Sequence, residues 1–113
     1  MNDQKFLIGK PKVYPEKLTK ELIRLFSTIP SVKAAYLAQI FIPNSGIPAH
    51  PVVGIEMHGN LNEIADELTK VIKKNIPPEE CIDVVPTNTK NYIDYFSTIE
   101  PFYKAMPLGS DVT

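Results

Sequence analysis

VKAAYLAQIFI (residues 32–42), PNSGIP (43–48) and AHPVVGIEMHG (49–59) form the stretch on which the fold turns. The first piece puts Val32, Ala34, Tyr36, Ala38, Ile40 and Ile42 on its even positions and Ala35, Leu37 and Phe41 on odd ones. A strand with one face in water alternates more cleanly than this, so both faces call for cover. The second piece is too long and too rich in turn formers for a two-residue hairpin turn, and reads as a loop. In the third, Val53, Ile55 and Met57 share one face; His50, Val52, Glu56 and His58 share the other. Pro51 places the start of that strand at an edge or where pairing is incomplete.

Working outward, Phe6 to Gly9 is an apolar run for one short strand, ended by Pro11. Pro15 and Glu16 open a helix whose buried stripe is Leu18, Leu22, Leu25 and Phe26, and which stops before Pro30. On the other side, Asn60 caps a helix with Glu63 three residues on and an apolar stripe of Leu61, Ile64, Ala65, Leu68, Val71 and Ile72, running to about Lys74. Its acids come early, while Lys70, Lys73 and Lys74 come late, as the helix dipole favours. Cys81 to Val85 reads as a last strand, closed by Pro86. The order strand, helix, strand, strand, helix, strand predicts an α+β domain of the ferredoxin-like βαββαβ kind, an antiparallel sheet with both helices on one face.

Residues 88–99 suit a short helix carrying Tyr92, Ile93, Phe96 and Ile99. Tyr92, Tyr95, Phe96, Phe102 and Tyr103 make the tail aromatic, holding half of the chain's ten Phe and Tyr residues. Such a tail, or a second subunit, is expected to cover the helix-free face. Each large side chain buried there contributes on the order of 1.5–3 kcal/mol. The core is expected over about residues 5–104 of a single domain, with 105–113 frayed.

A length of 113 residues fits one domain able to build a core without staples. The net charge of −1 argues against a general nucleic-acid binder. Cys81 is the single cysteine, so neither an intrachain disulfide nor a thiolate zinc cluster can form. No signal-peptide core or membrane-length apolar run is present, which makes the cytoplasm the expected compartment.

Chemistry is thinly marked. Glu56 and His58 share a strand face, with His50 beyond them, but a metal needs three or four converging donors; a solvated sheet face is the better reading. Cys81 follows Glu79 and Glu80, whose charges oppose a reactive thiolate, and it reads as a small packing residue. No phosphate loop, nucleophile elbow or RNA-stacking platform stands out, so no catalytic residue, metal or cofactor is expected.

Ile8-Gly9-Lys10-Pro11, Tyr14-Pro15 opening a helix with Leu18, Leu22 and Phe26, and Val32 to Ala38 together resemble the C-terminal domain of the SseB (enhanced serine sensitivity) family. Val53-Gly54-Ile55-Glu56 and Pro101-Phe102-Tyr103-Lys104 fit the same pattern, so the likeness runs from about Phe6 to Lys104. It implies a bacterial cytosolic protein, usually preceded by another domain, and carries over no catalytic residue or ligand. The expected function is a non-enzymatic interaction or dimerisation module. Its surface is drawn from Tyr36, Ala38, Ile40, Pro101, Phe102, Tyr103 and Lys104, and its partner is a second copy or the preceding domain. The alternative is a regulatory domain binding an amino acid, with neither nucleic acid nor membrane as partner; an enzyme using Glu56, His58 or Cys81 ranks third.

Overall fold

The structure is a computed structural model that describes residues 7–11, 15–46, 48–77, 80, 82–89 and 92–105. Its strands are β1 (Leu7–Gly9), β2 (Val32–Phe41), β3 (His50–Met57), β4 (Asp83–Pro86) and β5 (Tyr103–Lys104). Its helices are α1 (Glu16–Phe26), α2 (Ala65–Asn75) and α3 (Ile93–Phe96), with a 3-10 turn at Leu61–Ile64 leading into α2. Asn60 caps that turn, its side-chain oxygen accepting from the Asn62 amide at 2.9 Å. Acids open α2 and lysines close it, so the dipole pattern read from the sequence is present.

The sheet is mixed. Its order is β1-β2-β3-β4, and β5 also pairs with β2. β1, β3 and β5 run antiparallel to β2, whereas β4 lies parallel to β3, as a helical crossover requires. This corrects the expected all-antiparallel ferredoxin-like sheet, in which a helix joins parallel strands across an intervening one; β1 and β2 are instead direct antiparallel neighbours. The physical reason lies in strand length and pattern. A central strand must fill both faces with apolar residues, and Leu7-Ile8-Gly9 is too short to do so. The two long apolar strands, β2 and β3, take the centre, and β1 is left to an edge.

Both long helices do lie on one face. Leu18, Leu22 and Phe26 of α1 and Leu68 of α2 close over Val32, Ala35, Leu37, Val53 and Ile55. Val32 belongs to this group against the alternation read from the sequence, which placed it with Ala34. Between Val32 and Ala34 the β2–β3 register shifts, with Lys33 as the extra residue. Such a bulge turns the preceding side chain to the other face. Pro51 sits opposite Gln39 of β2, one residue before β4 begins at Val52↔Asp83, so it has a strand on one side only. Pro86 ends the edge strand β4, where its missing donor costs no ladder bond.

The opposite face is covered from within the chain. Ala38, Ile40, Val52 and Phe96 form a second buried cluster, joined by Ile8, Tyr36, Tyr92, Tyr95 and Ile99. Phe96 stacks near Tyr92 and meets Tyr36 and Tyr95 at tilted or edge angles, with centroids 5.7–6.3 Å apart. Phe102 and Tyr103 do not join them. They turn to the helix side and pack on Phe26 at 6.4 and 5.6 Å, where the Tyr103 hydroxyl donates to the Phe26 carbonyl at 3.3 Å. The aromatic tail therefore splits, one half capping each face.

Candidate binding surfaces

The sheet register assembles one pocket around Ala34. Ala34 pairs with Glu56 of β3 on one side and Lys104 of β5 on the other. Directly paired residues share a face, so a small floor is flanked by an anion and a cation. Tyr36, two residues along the same face, and Pro101 close one end, and Lys33 of the bulge the other, around about 400 Å³. Burial, then the charges of Glu56 and Glu100, push the Tyr36 phenol above its usual range. Glu56, Lys33 and Lys104 are exposed, and among the described residues no ion pair engages them.

The residues expected to form an interaction surface are thereby separated. Tyr36, Pro101 and Lys104 meet at this pocket. Ala38 and Ile40 are 0% and 2% exposed, sealed in the cluster with Phe96. Phe102 and Tyr103 serve the helix-side core. A different apolar patch is open: Leu7 and Phe41, cross-strand partners, are 61% and 40% exposed. Alternation from Leu37 puts Phe41 and Leu7 on the helix side, past the residues that α1 and α2 cover.

His50, which the sequence places beyond Glu56 and His58 on the same strand face, has a structural partner. Its Nε2 lies 2.9 Å from Asp83 Oδ2 and its Nδ1 lies 3.1 Å from the Pro48 carbonyl. Burial alone lowers the imidazole's pKa. The Asp83 hydrogen bond, the Pro48 contact and the Asp83 charge together outweigh it, so the net movement is upward. This clip joins the starts of β3 and β4, and 33 residues of separation hid it from sequence reading. Among the described residues, no three His, Cys, Asp or Glu side chains gather as metal ligands. Cys81 lies outside the described residues. A second groove, lined by Leu61, Leu68, Ile72, Ile76, Ile82 and Val84, runs between α2 and β4.

Comparison with known proteins identifies the lineage. The family model for the SseB protein C-terminal domain matches residues 1–105. The chain belongs to the SseB family. Protein SseB of Escherichia coli (strain K12) is 31% identical over 93 residues, which is 80% of this chain and 36% of that protein. Protein SseB of Shigella flexneri matches to the same extent. The chain thus spans about a third of the length of the curated relatives it matches. No solved structure matches it significantly. Among the described residues, no helix is long and apolar enough to cross a membrane.

Proposed function

We propose that this SseB-family domain is a non-enzymatic protein-interaction module. The observation that carries the reading is the exposed Leu7–Phe41 pair at the open end of the helix-covered face. Exposed apolar side chains that adjoin on a sheet, beyond the reach of the helices covering the rest of it, favour a protein partner. The partner we favour is the region that precedes this domain in longer family members, because β1, which carries Leu7, is where such a region would enter. Self-association is the second form of the same reading, and a cytosolic setting accords with either.

The test is association measured by light scattering and titration. The chain is examined alone and with the part of the E. coli relative that precedes its matched segment. Association that disappears in the Leu7→Ser, Phe41→Ser double variant supports the module. A chain that stays monomeric and ignores that region sinks it. Deleting the tail is no substitute test, because Phe102 and Tyr103 belong to the core.

A further inference from the structure

The geometry points to a binding site for a small zwitterion at the Ala34 pocket, with free α-amino acids as the ligand class. In this site Glu56 takes the ammonium, and Lys104, helped by Lys33, takes the carboxylate. The site is distinct from the Leu7–Phe41 patch and does not depend on that patch having a partner.

Three features of the pocket argue for it. The first is charge placement. Ala34 pairs with Glu56 and with Lys104, so these two leave the sheet from strands on either side of it. Two inter-strand spacings put their Cα atoms roughly 10 Å apart. That gap suits long side chains reaching inward to opposite ends of a short dipolar molecule. The second is the floor. Ala34 is 4% exposed, and its methyl group leaves the space above it to the flanking side chains and a ligand. At about 400 Å³ this depression, open to solvent on one side, has room for a small molecule.

The third is the asymmetry of the walls. The carboxylates of Glu56 and Glu100 are both felt at the Tyr36 phenol, while Lys33 lies beyond the opposite end. An ammonium near Tyr36 meets negative charge and the face of an aromatic ring, two partners that favour a cation. A carboxylate near Lys33 and Lys104 meets two cations. An anion without an ammonium would gain the lysines and face Glu56 unscreened; a plain cation would meet the reverse. A ligand with both charges satisfies both ends.

Amide NMR spectra of the intact chain, titrated singly with the common L-amino acids and glycine, test this. The expected result is a saturable shift of the Ala34, Tyr36 and Gly54 amides by at least one of them. The N-acetyl and carboxamide forms of that amino acid should bind about tenfold more weakly or worse, a difference of about 1.4 kcal/mol. Glu56→Gln should reduce the free amino acid to the level of its N-acetyl form, and Lys104→Met to that of its carboxamide. Both positions are exposed, so the remaining spectrum should report an unchanged fold. No saturable shift with any amino acid overturns the site. Equal shifts by the free and blocked forms, or binding indifferent to both substitutions, overturn it as well.

Discussion

Gly54 shows how one missing side chain can shape a face. A Cβ built at this position would lie 2.6 Å from two ring atoms of Phe96, closer than carbon atoms tolerate. The absence of a methyl group lets the ring settle on the sheet between Tyr36 and the rest of the second cluster. Gly54→Ala should therefore displace Phe96 and lower stability by about 1–3 kcal/mol, as overpacking does. Urea denaturation measures it, and the penalty should largely vanish in a Phe96→Leu background, where the ring is gone. An equal penalty in both backgrounds would refute the contact. His50 works differently. Both of its ring nitrogens face acceptors, so the imidazolium satisfies both and the neutral ring only one. Its pKa is raised on folding above 6.5, so its stabilisation is full below that value and is lost as pH climbs through the folded pKa. The stability gap between the wild type and His50→Gln should shrink between about pH 5 and pH 8. A gap that widens with pH over that window would show that the sign is wrong.

At the scale of elements, β5 has an importance out of proportion to its two residues. Pairing Tyr103 with Ala35 and Lys104 with Ala34 fixes Phe102 and Tyr103 against Phe26, a fully buried ring at the end of α1. The Phe102 amide bonds the Ala35 carbonyl and the Ala105 amide the Lys33 carbonyl, both at 2.8 Å, extending the pairing past the strand itself. Truncation after Glu100 should uncover Phe26 and leave the bulged end of β2 without an edge partner. Circular dichroism melting should then show a transition lower by 10 °C or more, because two half-buried aromatics are lost together, each contributing up to about 1.5–3 kcal/mol. A truncated chain that melts like the whole would mean that β5 contributes nothing to the core. The helices, the long strands and the loop between them were legible because their periodicity is local. The apolar excess of β2 also foretold that something covers its second face, and α3 does. The Lys33 bulge was not legible, since a bulge is decided by the partner strand's register. A two-residue strand leaves too few positions for any period to be seen.

For the whole molecule, strand partners were the part that sequence left open. The succession βαββαβ suits several sheet orders, and the choice rests on which strands can bury two faces, a comparison among distant segments. β2 and β3 won the centre because, among the described strands, they alone are long and apolar on both sides. Of the candidate residues, Tyr36, Pro101 and Lys104 converge while Ala38 and Ile40 are sealed. Their fates were set by α3, whose path no local pattern reveals. Glu56, which on sequence fits a solvated sheet face better than a metal site, has Ala34 and then Lys104 as its neighbours across the sheet.

The outer edge of β2 is tiled by pieces from opposite ends of the chain. β1 meets its residues 39–41 and β5 its residues 34–35, both pointing the same way. A force pulling the chain outward before β1 and after β5 acts along the β2 axis and drags the two pieces apart in opposite directions. Every ladder bond of each piece is loaded at once, in shear, and none is opened one at a time like a zip. Tension arriving through neighbouring segments of a longer polypeptide is thus met by the sheet's strongest mechanical direction at both points of entry.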